Sequence, residues 1–284
     1  RSFIDDPYLF GQIAANHSLS DIFAMGAEAQ SALAIATLPY GIESKVEDML
    51  RQLMAGAMLV LNDSNTALVG GHTSEGAELA LGFSVNGFID QEKILRKGGM
   101  QPGDVLILTK ELGTGTLFAA DMQQKAKGRW IEAALESMLL SNRVAAECIY
   151  KHDATACTDI TGFGLLGHMV EMIKPSGVDV EIDLSALPVI DGALQTVEMG
   201  ILSSLQPANV RLRRAIVNQT EAVNNPLYPL IFDPQTSGGL LASLPANKAD
   251  ECLSALHQSG YRQAAIIGRV KSQAQDLEPV TLIS

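Results

Sequence analysis

Thr158-Asp159-Ile160-Thr161-Gly162-Phe163-Gly164-Leu165-Leu166-Gly167-His168 is the stretch that decides how the chain reads. Ala154 to Thr158, ahead of it, is short and apolar, which predicts a strand that delivers Asp159 at its end. From Gly162 to Ile173 the pattern predicts a helix. A strand that passes through a glycine-rich turn into a helix is the unit of α/β layering. The same stretch places one carboxylate in apolar surroundings, where it is costly unless a cation or hydrogen-bond donors stabilise it. An N-cap box at the strand-to-helix turn would account for Asp159 with no ligand at all. Against that stand Gly162 and Gly164, which weaken a helix start unless close backbone approach is wanted. A carboxylate beside free helix N–H groups is also where a metal–phosphate complex would sit.

A second string has the same character: Asn16-His17-Ser18-Leu19-Ser20-Asp21-Ile22-Phe23-Ala24-Met25-Gly26. Asp5-Asp6-Pro7 before it is a helix start, a carboxylate cap followed by Pro at the first helical position. The helix is expected to run from Pro7 to about Met25, with Phe10, Ile13, Ala14 and His17 on one face. Asp21 follows Phe10 by about three turns and falls on nearly that face, so it is expected to point inward or into a cleft. An i,i+4 pair with His17 explains Asp21 without function. The alternative is a metal or metal–phosphate ligand, with His17 orienting it.

Working outward, Gln30 to Thr37 predicts a strand buried on both sides. Glu43 to Leu61 predicts an amphipathic helix with Val46, Met49, Leu50, Leu53, Met54 and Ala57 at helical spacing. Ala67 to Gly70 and Leu79 to Ile89 read as strands flanking a loop, Gly71-His72-Thr73-Ser74-Glu75-Gly76. That loop is either a turn that needs positive φ or a phosphate cradle with backbone amides and the Thr73 hydroxyl as donors. It is not a Walker loop, since no Gly-Lys-Ser/Thr follows. Gly98 to Asp104 is the best turn cluster and divides the chain into residues 1–99 and 100–284. Beyond it the pattern predicts a strand over Val105–Thr109, a helix entered through Gly113-Thr114-Gly115, and one long helix from Trp130 to Tyr150. Further strands are expected near 178–182, 239–243 and 264–270, and helices near 190–199 and 248–258. Asp233-Pro234-Gln235-Thr236-Ser237-Gly238-Gly239 reads as turn chemistry ahead of an apolar strand, and His168 as a satisfied structural histidine. His152 and His257 read as surface residues.

Composition bounds the function. The 284 residues are 47% hydrophobic and 18% charged, which fits two globular domains and excludes disorder. A net charge of −12 with no Lys/Arg-rich run argues against nucleic acid. An anionic substrate then needs metal ions or backbone amides to overcome that field, and Mg²⁺ carrying a phosphate ligand is the natural candidate. Cys148, Cys157 and Cys252 are far apart in sequence and unpaired by motif, which argues for a reducing compartment and against zinc or a disulfide framework. No apolar run is long enough to span a bilayer. The sequence has no initiator Met, and Arg1-Ser2-Phe3-Ile4 reads like the tail of a strand, so a fragment, a processed product or part of a fusion is expected.

Together these strings resemble the selenophosphate synthetase (selenide, water dikinase) family of the aminoimidazole-ribonucleotide-synthetase-like superfamily. The matching text is Asp5-Asp6-Pro7, Asn16 to Gly26, Gly70 to Ser74, Gly82 to Gly87, Lys110 to Gly115, Thr158 to His168 and Asp233 to Leu241. The resemblance implies two α/β domains, the second with a mixed sheet. It also implies a homodimer in which N-terminal sheets pair into a barrel between subunits. It implies cytoplasmic conversion of ATP, selenide and water to selenophosphate, AMP and phosphate. By motif, Asp21 looks like a shared Mg²⁺ and ATP-phosphate ligand, Asp159 like a Mg²⁺ ligand from the second domain, and Gly71, His72 and Thr73 like the segment that reaches ATP across the dimer. The family also carries an N-terminal Gly-rich segment with a reactive Cys or selenocysteine, a nearby Lys and two further Asp residues. This sequence begins beyond that segment, so no catalytic Cys or Lys is assigned and the 284 residues alone are expected to be weakly active or inactive. Some relatives are fused behind a flavoprotein oxidoreductase, which would fit an internal start. The alternatives are a non-catalytic nucleotide-binding and dimerisation module, or another enzyme of the superfamily such as a thiamine-phosphate kinase or an aminoimidazole ribonucleotide synthetase.

Overall fold

A computed structural model describes residues 3–274 and 278–283. Of the strand expected at the start, Arg1 and Ser2 lie outside the described residues, and Phe3 and Ile4 belong to no strand. The first element begins where the cap chemistry requires. The Asp6 carboxylate accepts hydrogen bonds from the Tyr8 and Leu9 N–H groups at 2.8 and 3.1 Å, and Pro7 takes the first position of α1 (Pro7–Ala24). There follow β1 (Glu28–Pro39), α2 (Glu43–Asp63), β2 (Ala67–Gly76) and β3 (Ala80–Phe88). The strands make one sheet in the order β2-β1-β3, with β2 parallel and β3 antiparallel to β1. Phe10 of α1 and Leu53 of α2 pack with Ala36 and Leu38 of β1 to form the core beneath that sheet.

Two expectations for this region are corrected. The strand over Gln30–Thr37 is not buried on both sides. Ala32, Ala34, Ala36 and Leu38 are buried, but Leu33 and Ile35 on the other face are exposed, because helices cover one side only. The segment Gly71–Gly76 is not a loop, since it pairs residue by residue with Ala34–Pro39 as part of β2.

The second group of elements starts with β4 (Asp104–Leu108), α3 (Thr114–Met122), α4 (Gly128–Leu139), α5 (Arg143–Lys151), β5 (Ala156–Asp159), α6 (Gly164–Ser176), β6 (Val178–Asp183) and α7 (Ala193–Glu198). Short helical turns, α8 (Gln206–Asn209) and α9 (Gln219–Ala222) among them, lead to β7 (Leu240–Pro245), α10 (Ala249–Gln258), β8 (Ala265–Ser272) and β9 (Val280–Ile283). The long helix expected from Trp130 to Tyr150 is two helices. Ser141 interrupts it by accepting the Arg143 N–H on its hydroxyl at 3.2 Å, local cap chemistry that competes with continuing the helix.

The second sheet is mixed, in the order β5-β7-β4-β8-β6-β9; all pairs are antiparallel except β6 with β9. Leu106 and Leu108 of β4 join Leu165, Leu166, Met169 and Ile173 of α6 in one large core, while α10 packs against β4 and β8. By contact density the chain forms two units: residues up to Ile94 with Met138–Arg143, and Leu95–Ser137 with residues from Val144 on.

Candidate functional site

In the second sheet β7 lies between β5 and β4 and runs antiparallel to both, so the C-terminal ends of β4 and β5 emerge at the same edge. Asp159 is the last residue of β5, and Lys110 stands two residues past β4. Between them the chain 237–239 enters β7, and its two glycines are there for room. A Cβ on Gly239 would lie 2.5 Å from the Lys110 backbone nitrogen, and one on Gly238 would lie 2.2 Å from the Ile160 carbonyl oxygen.

Lys110 is 1% exposed and its Nζ donates to the Ser237 carbonyl at 3.0 Å. Burial draws the ammonium down to about 7, and the negative charges of Glu111 and Asp159 only partly offset this. Burial also pushes the Glu111 carboxyl up. Next to Lys110, Asp233 and Gln235 act as a remote cap for α3. Gln235 Oε1 accepts the Gly113 and Thr114 N–H groups and the Thr114 hydroxyl, at 3.0 to 3.1 Å, and Asp233 Oδ2 accepts the Gly115 N–H at 3.1 Å. The amides of Gly113-Thr114-Gly115 are therefore satisfied inside the protein. The Asp233 carboxyl is pushed up to about 7, by burial first, with the bonds from Gln235 and Gly115 working against it.

Asp159 is buried, and its Oδ2 has no hydrogen-bond partner among the described residues. It is not the N-cap of the following helix: α6 starts five residues later, and the residue before its first turn is Phe163, with no side-chain cap. The intervening loop is held by His168, whose Nε2 accepts the Thr161 N–H at 3.1 Å and lies 3.1 Å from the Thr161 hydroxyl. Burial draws His168 down, so it serves as a neutral strut, as its position one turn into the helix suggested.

The first unit holds the other residues singled out by sequence. Asp21 sits on the last turns of α1 and is exposed, so the inward orientation expected from its phase with Phe10 is corrected. Helical phase fixes a direction about the axis; whether an element covers that direction is decided separately at each level. At Phe10 the sheet and α2 cover it. Neighbouring Asn16 and Ser20 are buried and pin α1 to the segment 138–143 through Asn16 Nδ2 to the Leu139 carbonyl and Asn142 Nδ2 to the Ser20 hydroxyl, both 2.9 Å. Gly71, His72 and Thr73 follow one another on edge strand β2, so they alternate between its faces. His72 pairs with Ile35, and Gly71 and Thr73 pair with Ala34 and Ala36; all three are exposed on this edge strand. A Cβ on Gly71 would meet the Ala34 carbonyl oxygen at 2.1 Å, so the glycine is needed for strand pairing.

A divalent cation fits the Asp159 end of this arrangement. A buried carboxylate oxygen without a hydrogen bond is a hard oxygen donor awaiting a cation. The lysine beside it titrates near neutrality and does not stand against a cation as a full fixed charge. Lys110, Asp233 and Gln235 were not picked out as functional from the sequence. A lysine closing the apolar run Val105–Thr109 was a signal for the first. The other two are defined only by contacts more than 110 residues away in the chain.

The chain matches known families along most of its length. Residues 101–276 match the family described as AIR synthase related protein, C-terminal domain, and residues 1–89 match its N-terminal domain. A selenide, water dikinase of Pelobacter propionicus is 41% identical over 269 residues, covering 94% of this chain and 76% of that protein. The selenide, water dikinase of Clostridioides difficile is 38% identical over 267 residues, with the same coverage of 94% and 76%. Among solved structures, hydrogenase maturation protein HypE superposes with a TM-score of 0.75 at 18% identity, over 96% of this chain and 78% of that one. A thiamine-monophosphate kinase from Stenotrophomonas maltophilia gives 0.71 at 20% identity, over 97% and 78%. These two structures share the fold.

Proposed function

The chain belongs to the selenide, water dikinase family of AIR synthase related proteins, and from that premise we propose that it binds ATP with Mg²⁺ and takes part in forming selenophosphate, AMP and phosphate from ATP, selenide and water. The observation that carries the reading is Asp159: a buried carboxylate with an unpartnered oxygen, at the sheet edge where Lys110 also emerges. Phosphoryl transfer asks a protein for placement and charge neutralisation more than for covalent chemistry. Mg²⁺, when bound, would supply positive charge to offset that of the phosphate oxygens. Asp159 in the second unit and, taken separately, Asp21 in the first are each proposed as Mg²⁺ ligands. Lys110, titrating near 7 in the fold, can carry a positive charge to a phosphate oxygen or hold its proton at Nζ. The His168 bond to Thr161 keeps the loop after Asp159 in place, so the carboxylate does not have to be ordered anew when nucleotide arrives.

Gly71, His72 and Thr73 are proposed to reach nucleotide from β2. Because His72 faces the other side of the strand, the Thr73 hydroxyl and His72 would meet different parts of a ligand or different ligands. A homodimer paired through the exposed face of the first sheet is part of the same proposal; Leu33 and Ile35 offer that face apolar side chains.

Calorimetric titration of ATP with and without Mg²⁺, on wild type and Asp159→Asn, tests the reading. Wild type is expected to bind ATP at least tenfold more tightly with Mg²⁺ than without it. Asp159→Asn is expected to lose most of that difference while keeping its circular dichroism spectrum. Equal heats in all four titrations would overturn it.

A further inference from the structure

The sequence separates Cys148 and Cys252 by more than a hundred residues, and the fold brings them together. Cys148 lies on α5, and His152 follows it one turn later on the same side, just past the helix end. Cys252 comes from α10 and is fully buried. One ligand atom from each of the three lies within 4.8 Å of the other two, the one such group of His, Cys, Asp and Glu found among the described residues. Cys148 Sγ is 3.8 Å from the Cys252 carbonyl oxygen. His152 Nδ1 is 2.7 Å from the Cys148 carbonyl oxygen. A carbonyl can only accept, so Nδ1 carries the proton and Nε2 keeps its lone pair. The same Nδ1 lies 3.9 Å from Cys148 Sγ; with Nδ1 bonded to the carbonyl, Nε2 is the nitrogen left to ligate a metal once the ring swings toward the thiols.

We propose that Cys148, His152 and Cys252 form a binding site for one zinc ion, a Cys₂His set with the fourth position open to solvent. Zinc with ligands at about 2.3 Å for sulfur and about 2.0 Å for nitrogen needs ligand atoms about 3.5 to 3.8 Å apart. From separations within 4.8 Å, the three side chains close by about an ångström, a rotamer adjustment. Two thiolates and an imidazole select a soft, tetrahedral ion over Mg²⁺, so this site does not compete for the ion proposed at Asp159. It shares no residue with that site. The balance is simple: Zn²⁺ binds, two S–H bonds are lost, and up to two protons pass to solvent. The thiols are unequal. Cys148 is drawn down by the Cys252 thiol against it, with Lys151 adding its charge; Cys252 is pushed up. The half-buried His152 ring is the point of entry from solvent. The proposal departs from the expectation from sequence that the cysteines argue against zinc and that His152 is a surface residue. The third cysteine, Cys157, is buried with its thiol pushed far above the usual range and stays an inert core residue.

The test is titration of the chain with Co²⁺, then Zn²⁺, in excess Mg²⁺ and under a non-thiol reductant. A thiolate-to-cobalt charge-transfer band is expected to saturate at one equivalent and to be abolished by Zn²⁺. Cys252→Ser and His152→Ala should each weaken binding at least tenfold, and Cys157→Ser should leave it unchanged. X-ray absorption on the zinc-loaded wild type should show two sulfur neighbours and one imidazole nitrogen, a readout that needs no variant to fold. Absence of the charge-transfer band in wild type would overturn the proposal. So would a band that survives in Cys148→Ser/Cys252→Ser, or recovery of the reductant-treated chain with Cys148 and Cys252 already joined as a disulfide, seen as a mass lower by two hydrogens.

Discussion

Replacing Asp233 by Asn should make the second unit more stable, relative to wild type, at neutral pH than in acid. The carboxyl titrates at about 7 in the fold against 3.8 in a free chain, because it is buried while capping α3. A group whose folded value is raised holds its full stabilising contribution below the unfolded value and loses it as pH rises through the folded one. For Asp233 that window runs from about pH 4 to about pH 7. At about 1.4 kcal/mol per tenfold, the ceiling on the change is about 4 kcal/mol. Asn copies the neutral acid: its carbonyl oxygen takes the Gly115 and Gln235 bonds that Oδ2 now accepts, and its NH₂ lies where the acid would hold O–H. The difference in stability, Asp233→Asn minus wild type, should therefore climb by up to about 4 kcal/mol between pH 4 and pH 7.5. Any cost of leaving the NH₂ unpaired, about 1–3 kcal/mol, is the same at every pH and shifts the whole curve without bending it. Taking the difference cancels Glu111 and His168, which titrate in both proteins. Lys110 changes its contribution only above 7. The assay is denaturant unfolding followed by Trp130, the only tryptophan of the chain, which is buried in the second unit. Parallel curves across the window, or a wild type that gains on the variant as pH rises, would refute the placement of Asp233 as a buried cap.

The other expectations are shorter. Lys110 has a folded value near 7, depressed from 10.5, so wild type should gain stability as pH rises from 7 to 10. Lys110→Met should lose that gain in the same Trp130 experiment and bind Mg²⁺–ATP at least tenfold less tightly; retention of both properties would remove Lys110 from the site. Gly71→Val forces a side chain onto the Ala34 carbonyl and should cost about 1–3 kcal/mol, seen as faster hydrogen exchange across β2. Exchange unchanged from wild type would mean that β2 does not pair as described. Ile35 is 59% exposed on the open face of the first sheet. Ile35→Asp should lower the sedimentation mass toward that of a single chain at micromolar concentration, and an unaltered mass would exclude that face as the dimer contact.

Much of the molecule can be read from local pattern. The α1 cap is written in Asp6-Pro7, and the period-3.6 runs of α2 and α6 and the apolar runs of β4 and β7 needed no partner to be recognised. Local pattern also kept Asp159 at the end of a strand, which is where it lies. It misread the segments whose state depends on neighbours. Gly71–Gly76 carries turn residues, yet β1 supplies a ladder and the segment becomes an edge strand. Trp130–Tyr150 has helical composition throughout, but Ser141 caps a break that no periodicity marks.

What sequence by itself determined is therefore the family, the two α/β layers, and which residues close each strand or open each helix. Tertiary structure alone decided that Asp21 is exposed and that Asp233 and Gln235 cap a helix 120 residues earlier. It also decided that Lys110 is stripped of water, and that two cysteines and a histidine meet. The reason is physical: a repeat along the chain fixes the direction a side chain takes about its own axis, within a few residues. What it meets in that direction, and whether water reaches it there, depends on segments far along the chain being folded against it.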